Sequence, residues 1–188
     1  MFLNIITPCI RPNNLKYISE SINIPKHQYR WLVIFDGKEK DISQLEIPSN
    51  CEYYFYQLDE SKVGHGQRNF AINLIQDGHV YMNDDDTTIH PLLWENIQLL
   101  DQHDFITFQQ TDIHGNMRCT CTPIKRKNID THCFITSRLL IDKHRWQYNR
   151  YGADGAFAIK CKQRAKNYIH LPKVLSIYNS LNLTNVSI

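Results

Sequence analysis

The chain has 188 residues, a formal net charge of +2, and a composition that is 21% charged and 42% hydrophobic. This length suits a single domain with a substantial core, and the composition is that of an ordinary globular protein. Because there is no broad positive field, we expect no nucleic-acid partner. No apolar run approaches membrane-spanning length and a strand begins almost at the N-terminus, so we expect no signal peptide, no integral membrane segment and a cytoplasmic location.

Strand and helix patterns alternate through the first half of the chain. The predicted elements are, in order, strand 2–6, a helix from about residue 13, strand 31–35, strand 53–58, a helix that opens at Gly64 and stops at Gly78, and strand 80–82. The strand at 31–35 is an uninterrupted apolar run, which is typical of a buried parallel strand. This alternation predicts βαβ units and an α/β fold with a mostly parallel central sheet flanked by helices.

The second half of the chain is less regular, and we expect mixed or antiparallel strand pairing there. Its predicted elements are a helix that begins at Pro91, strand 105–108, a turn at 114–116, strand 117–122, strand 133–136, a helix near 155–164 and strand 168–171. The six cysteines show neither zinc-site spacing nor scaffold density and indicate free thiols in a reducing compartment. Two of them, Cys119 and Cys121, are expected on one face of a strand.

Three successive carboxylates, Asp84, Asp85 and Asp86, follow the predicted strand 80–82. Adjacent carboxylates repel one another, so such a run needs a cation, a hydrogen-bond network or open water. Ligands of open α/β sheets bind at the carboxyl ends of strands, and Mg²⁺ or Mn²⁺ takes oxygen ligands while keeping positions free for phosphate. The run therefore predicts a site for a metal-bound diphosphate.

The acidic run has two simpler interpretations. Asp84, Asp86 and Thr88 have the spacing of a calcium loop, but Ile89 stands at the position that requires glycine and Pro91 follows it, so this interpretation is rejected. A solvated acidic turn that caps the helix beginning at Pro91 remains an open alternative.

Polar residues also follow other strands of the first half. Thr7 and Arg11 come after the first strand, Asp36 ends the second, and Arg68 lies near a helix N-terminus. Parallel strands end at one edge of a sheet, so these side chains are expected to converge on the acidic run. Thr7 and Asp36 could bind ribose or base, and Arg68 could approach phosphate or base. A plain turn at Asp36 and an exposed ion pair at Arg68 are the competing interpretations.

The only dense basic run is Lys125, Arg126 and Lys127. A solvated loop is the default interpretation of such a run. Contact with a phosphate or an acidic acceptor is the alternative.

Four segments together resemble the GT-A glycosyltransferases. They are Thr-Pro-x-x-Arg-Pro after the first strand, Trp-Leu-Val-Ile-Phe-Asp at 31–36, Gly-x-x-x-Arg-Asn-x-Ala at 64–71, and the strand that ends in the three aspartates. The pattern is most similar to family 2, with local similarity to the glucuronyltransferase family. It covers most of the chain and implies one Rossmann-like GT-A domain over 1–188, with a nucleotide-binding half at about 1–90 and an acceptor-side half at about 91–188.

The resemblance implies a metal-dependent enzyme that moves a sugar from a nucleotide-diphosphate donor to a hydroxyl of a glycan, lipid-linked or protein acceptor, with inversion. Mn²⁺ or Mg²⁺ would be held by Asp86, with Asp84 as a further ligand in an Asp-x-Asp motif. Asp84 or Asp85 would contact the ribose. Asp36 and Arg68 would line the nucleotide pocket.

Further roles follow from the same resemblance. Thr7 would lie at the entrance of the nucleotide pocket, and Arg11 belongs with the nucleotide contacts. Asp154 would be the general base that removes the acceptor proton. Ala153 precedes it, where relatives often carry an acidic residue. His170 matches a closing strand that often supplies another metal ligand, whereas a lone histidine between apolar residues is more often structural.

Two other functions remain open from the sequence. A nucleotidyltransferase that makes nucleotide sugars would also need carboxylate-bound metal, but no glycine-rich phosphate loop with a basic partner follows the first strand. A non-catalytic nucleotide-sugar-binding module of the same fold is the other alternative, and Ala153 favours it.

Overall fold

The computed structural model describes residues 1–37, 45–57, 64–146 and 152–181. These residues form eight strands and four helices. In chain order they are β1 (Leu3–Cys9), α1 (Leu15–Ser21), β2 (Tyr29–Asp36), β3 (Glu52–Tyr56), α2 (His65–Asn73), β4 (His79–Met82), α3 (Leu93–Ile97), β5 (Phe105–Thr111), β6 (Met117–Cys119), β7 (Phe134–Ser137), α4 (Ala153–Arg164) and β8 (Tyr168–Ile177).

One open sheet contains all eight of these strands. In the first half of the chain, β2 pairs in parallel with β3 and β1, and β1 pairs in parallel with β4. In the second half, β7 runs antiparallel to both β4 and β5, β6 is antiparallel to β5, and β8 is parallel to β5. The predicted parallel first half and mixed second half are both confirmed.

Both faces of the sheet are covered by helices, as β2 illustrates. Trp31, Val33 and Phe35 pack into a core cluster that also contains residues of α1 and α3. Leu32 and Ile34 point to the opposite face and pack with residues of α2 and α4. Because alternate side chains of a strand face opposite sides, two buried faces require the uninterrupted apolar run found in the sequence.

Three predicted elements differ in bounds in ways that matter for packing. Helix α2 ends at Asn73, not at Gly78; Gly78 instead adopts φ +80° immediately before β4, where a Cβ would lie 2.9 Å from the carbonyl oxygen of Phe2. Strand β6 ends at Cys119, and Cys121 has φ +57°, so the expectation that both cysteines share one strand face is wrong. Both are nevertheless buried in the same core cluster.

Strand β8 extends well past the predicted residues 168–171. Its pairing with β5 skips two residues, since Phe108 pairs with Leu171 and Gln109 with Val174. The skipped pair begins with Pro172, which has no N–H to donate to a sheet ladder. A bulge at this proline lets the strand continue, which the alternating pattern alone could not indicate. The predicted end of β3 at Leu58 lies outside the described residues.

Two further properties bear on the expectations from composition. Among the helices of the described residues, none combines the length and the apolar character needed to cross a lipid bilayer. All six cysteines lie within the described ranges, and each is a free thiol.

The loop that carries the basic run is fixed by its own hydrogen bonds. Oδ1 of Asn128 accepts from the backbone N–H of Thr120 at 3.1 Å and from its hydroxyl at 3.0 Å. Nδ2 of Asn128 donates to the carbonyl of Pro123 at 3.0 Å. The backbone N–H of Asn128 donates to the carbonyl of Lys125 at 3.0 Å. The Asn128 side chain thus links its end of the loop to Thr120 and Pro123 at the other end.

Helix α4 allows this loop to approach closely because it carries a glycine at the contact. An ideal Cβ on Gly155 would lie 2.3 Å from Cα of Arg126 and 2.9 Å from its carbonyl carbon and oxygen. Only a residue without a side chain fits against backbone at that distance.

We therefore expect Gly155→Ala to destabilise the protein by roughly 1–3 kcal/mol, because the added methyl group would collide with backbone atoms. In an unobstructed helix the same change stabilises by about 0.5–1 kcal/mol, so the direction of the effect is diagnostic. Urea unfolding monitored by circular dichroism measures it, with the exposed α4 substitution Lys160→Ala as the control. A stabilised Gly155→Ala protein would contradict the close contact.

Candidate active site

A cavity of about 640 Å³ opens beyond the carboxyl end of β4, where open α/β sheets bind ligands. Four of the residues predicted from sequence line it: Arg68, Asp84, Asp86 and Asp154. The lining also includes His65 from α2, Arg118, the pair Arg126 and Lys127, Asp130, His132 and Tyr178. Residues distant in sequence therefore converge, as the strand-end argument requires.

The acidic turn after β4 is held in place by backbone bonds from three directions. The N–H of Asn83 donates to the carbonyl of Ile6 in β1 at 2.9 Å, and Nδ2 of Asn83 donates to the carbonyl of Thr87 at 2.8 Å. From the end of the described chain, the N–H of Leu181 donates to the carbonyl of Asp86 at 2.9 Å. The three carboxylates therefore project from a backbone that is held in place by hydrogen bonds.

Arg68 supplies the cation for Asp84. Its guanidinium, with a side chain only 5% exposed, donates to and forms an ion pair with the Asp84 carboxylate. Burial lowers the pKa of Arg68, but the Asp84 carboxylate, with help from Asp154, raises it further, so the net shift is upward. The pair is partly buried, since the Asp84 side chain is 29% exposed, so the competing interpretation of an exposed surface pair does not hold and Arg68 remains charged beside the cavity.

Asp85 has a different role from its two neighbours. Its side chain is only 4% exposed, and Oδ2 accepts from the backbone N–H groups of Ile10 at 2.6 Å and Arg11 at 2.7 Å, while Oδ1 accepts from Nη1 of Arg11 at 2.6 Å. Burial raises the pKa of Asp85, so these donors are needed to favour its ionised form. Asp85 and Arg11 tie the turn to the loop after β1, and neither lines the cavity.

Asp86 faces the cavity with both oxygens partly engaged. Oδ2 lies 3.3 Å from Nη1 of Arg11, and Oδ1 accepts from the Thr87 hydroxyl at 3.0 Å. Asp84 and Asp86 are thus two cavity-lining carboxylates. Within the described ranges, no group of three or more His, Cys, Asp or Glu side chains is arranged to hold a metal. Two carboxylates fit Mg²⁺ or Mn²⁺ whose shell is completed by nucleotide phosphates and water, and they do not fit a closed zinc site.

Asp130 and His132 are site residues that were not predicted. The backbone N–H of Asp84 donates to Nε2 of His132 at 2.9 Å, and Nδ1 of His132 lies 3.2 Å from Oδ1 of Asp130. Burial lowers the pKa of His132, but the Asp84 and Asp130 carboxylates outweigh it and raise the pKa to about 9. The two carboxylates thus favour the protonated ring, whereas the bond from the Asp84 N–H needs a lone pair on Nε2 and opposes protonation. The hydrogen-bond geometry is that of the neutral ring with its proton on Nδ1, and protonation of His132 would cost the bond from Asp84.

Asp130 is held ionised in the same group. Burial alone would raise the pKa of Asp130, but His132 and Arg118 lower it to about 2. Arg118 lies 3.5 Å from Oδ2 of Asp130, and its guanidinium stacks over the Tyr178 ring at 3.2 Å from the ring centroid. The sequence signal for this pair is an Asp-x-His pattern immediately before a buried strand.

Asp154 is oriented by a chain of contacts that starts on α2. The side chain of Asn69 bonds both backbone groups of Trp146, accepting from N–H at 2.9 Å and donating to the carbonyl at 3.1 Å. The Trp146 ring stacks on Phe157 with ring centroids 3.6 Å apart. Its indole Nε1–H then donates to Oδ1 of Asp154 at 3.3 Å. Two adjacent residues of α2 therefore act on different carboxylates. Arg68 contacts Asp84 directly, and Asn69 orients Asp154 through Trp146.

Three other predicted site residues do not line the cavity. Thr7 is fully buried and its hydroxyl accepts from the Trp31 indole at 2.9 Å, so this side chain belongs to the core and not to a pocket entrance. Asp36 is exposed at the end of β2. Nδ1 of His170 lies 3.0 Å from the Thr107 hydroxyl, between β8 and β5.

Comparison with known proteins gives a fold but no sequence family. No protein-family model matches the chain, and no curated protein sequence is significantly similar to it. TarS from S. aureus in complex with UDP-GlcNAc has a TM-score of 0.69 at 17% identity, over 94% of this chain and 58% of that one. The mannosyltransferase PcManGT from Pyrobaculum calidifontis, in complex with GDP-Man and Mn²⁺, has a TM-score of 0.65 at 12% identity, over 94% and 56%.

A third solved structure extends this comparison. Glucosyl-3-phosphoglycerate synthase from Mycobacterium tuberculosis, in complex with Mn²⁺, UDP and phosphoglyceric acid, has a TM-score of 0.64 at 12% identity, over 87% of this chain and 64% of that one. The GT-A glycosyltransferase fold expected from the sequence is therefore confirmed. The chain spans less than two thirds of the length of each of these structures.

We expect Asp85→Ala to destabilise the protein by roughly 2–4 kcal/mol, because two backbone N–H groups and the Arg11 guanidinium would lose their acceptor. The matched control is Asp36→Ala, which removes an exposed aspartate at the end of β2 and for which we expect a change within about 0.5 kcal/mol. Both are measured by urea unfolding. Equal, small effects would show that Asp85 does not tie the turn to β1.

Proposed function

We propose that this protein is a glycosyltransferase that uses a divalent metal to move a sugar from a nucleotide-diphosphate donor to a hydroxyl acceptor. The observation that supports it most strongly is that Asp84, Asp86 and Asp154 line one cavity beyond β4. The fold is shared with enzymes whose structures contain UDP-GlcNAc or GDP-Man with Mn²⁺. The narrower resemblance to family 2 is part of this proposal.

On the donor side, Asp86 and Asp84 would hold Mn²⁺ or Mg²⁺ together with the donor diphosphate. When bound, the metal would act as a Lewis acid that stabilises negative charge on the departing nucleoside diphosphate. Arg68 keeps the Asp84 carboxylate in place through their ion pair and lines the same cavity, where its positive charge favours phosphate. Asp85 and Arg11 fix the turn on which the two metal ligands lie.

On the acceptor side, we assign the general base to Asp154. The Trp146 indole occupies Oδ1, so Oδ2 is the oxygen that would take the proton of the acceptor hydroxyl. The acceptor oxygen forms its bond to the anomeric carbon as the bond from that carbon to the diphosphate breaks. Attack opposite the leaving group, with the base on the attacking side, gives inversion.

The metal requirement is tested by donor hydrolysis with a panel of UDP- and GDP-sugars in the presence of Mn²⁺. We expect EDTA to abolish turnover and Asp86→Ala to lower kcat by about 100-fold or more, because charge on the leaving diphosphate would lose its stabilisation. His170→Ala separates the two sets of candidate ligands, and we expect a change of less than about twofold, since its ring contacts Thr107 outside the cavity lining. Turnover that survives both EDTA and Asp86→Ala would refute the metal assignment.

The base assignment is tested with Asp154→Asn, which keeps an oxygen for the Trp146 indole but cannot accept a proton at physiological pH. We expect transfer to fall by about 10²- to 10⁴-fold while nucleotide binding, measured by calorimetry, changes little. Undiminished transfer by this variant would remove Asp154 from the mechanism. Metal-dependent nucleotide binding by the wild type without consumption of any donor would instead identify a binding module.

A further inference from the structure

The charges that line the cavity are not evenly paired. Arg68 is paired with Asp84, and Arg118 lies against Asp130 and the Tyr178 ring. Arg126 and Lys127 also line the cavity, yet neither forms an ion pair with any residue in the described ranges of the chain. Within the described residues, these two cations therefore line the cavity without an ion-pair partner, and Asp154 on the same lining is a carboxylate that is not ion-paired either.

Arg126 and Lys127 are exposed, but the loop that carries them has a defined backbone. The loop backbone is closed by Asn128, and the absence of a side chain on Gly155 lets Arg126 lie directly against α4. A close backbone contact and four hydrogen bonds of one asparagine determine where this loop runs. The backbone that carries the two cations is thus fixed, so binding of a ligand has to order their side chains but not the loop.

The position of the pair is on the acceptor side of the cavity. Arg126 lies close to both Gly152 and Gly155, which stand two residues before and one residue after Asp154 at the start of α4; a Cβ on Gly152 would lie 3.8 Å from Cβ of Arg126. The proposed metal ligands belong to a different element, the turn after β4. The N-terminal end of the 12-residue helix α4 adds a further positive potential at this place.

We infer that the acceptor carries an anionic group, a phosphate or a carboxylate, close to the hydroxyl that receives the sugar, and that Arg126 and Lys127 bind this group. A guanidinium can bind phosphate or carboxylate with two parallel hydrogen bonds, and a lysine adds a mobile point charge. Arg118 is already held by Asp130 and Tyr178, so it borders the site without being assigned to the anion. The inference rests on the proposed function, because it names the substrate class of the same cavity.

The test is isothermal titration calorimetry on the full chain with three small probes: glycerol 3-phosphate, glycerate and glycerol. They share a carbon skeleton and differ in the anionic group, so the two anionic arms distinguish phosphate from carboxylate. The variants are the double substitution Arg126→Gln with Lys127→Gln, and the control Lys125→Gln. Lys125 is an exposed cation of the same loop that does not line the cavity.

We expect at least one anionic probe to bind the wild type and glycerol to show no detectable binding. The double variant should bind the anionic probe at least about fivefold more weakly, whereas Lys125→Gln should change binding by less than about twofold. No detectable binding of either anion, or an equal loss in Lys125→Gln, would overturn the inference, since the basic run would then be an ordinary solvated surface.

A separate titration with UDP and with GDP in the presence of Mg²⁺ distinguishes two further cases. If the double variant weakens nucleotide binding as much as anion binding, the two cations contact the donor diphosphate and the acceptor assignment is overturned. Unchanged nucleotide binding supports it. A failure of the proposed function would appear as absent nucleotide binding by the wild type, whereas a failure of this inference would appear in the anion titrations.

Discussion

The site depends on how three adjacent carboxylates are kept from repelling one another. Two like charges about 4 Å apart cost about 1 kcal/mol in water and about 4 kcal/mol at the effective dielectric constant near a protein surface. The chain meets this cost by giving each carboxylate its own donors: Arg68 for Asp84, the loop after β1 for Asp85, and Arg11 with the Thr87 hydroxyl for Asp86. Two carboxylates can then face the cavity because the third is turned inward to anchor them.

A single short helix connects the two sides of the cavity. Arg68 of α2 contacts the donor-side turn, and its neighbour Asn69 clamps the backbone of Trp146, whose indole orients Asp154. Adjacent residues of a helix point in directions about 100° apart, so one dipeptide can serve two distant elements. Any shift of α2 would move Asp84 and Asp154 together. The start of the helix is closely packed, since a Cβ on Gly64 would lie 3.0 Å from Cβ of Pro8.

Sequence reasoning succeeded where one rule governs many residues. The uninterrupted apolar strands predicted a sheet covered on both faces, and the rule that ligands lie at strand ends brought Arg68, Asp84, Asp86 and Asp154 to one cavity. These properties depend on element order and strand direction, which periodicity reveals. The GT-A pattern also pointed to Asp154, which lines the cavity from the start of α4, far from the acidic turn in sequence; its role as general base stays a prediction.

Sequence reasoning failed where the outcome depends on pairing register or on the direction of one side chain. Thr7 is paired with Val33 across β1 and β2, which turns its hydroxyl towards Trp31, and no local pattern carries that register. His170 is likewise placed by the pairing of β8 with Thr107 of β5. Which aspartate of the run turns inward is decided by donors that lie more than 70 residues earlier in the chain.

The two ends of the cavity differ in how their charged side chains are held. At the acidic turn, Asp84 and Asp86 are already matched by arginines, so the turn keeps its shape before a ligand arrives and little needs to be ordered on binding. Near the start of α4, the loop of Arg126 and Lys127 is held by backbone contacts, and within the described residues neither cation has an ion-pair partner. A site that fixes cations through packing, not through counter-ions, preserves their full attraction for an incoming anion, because no protein ion pair has to be broken first.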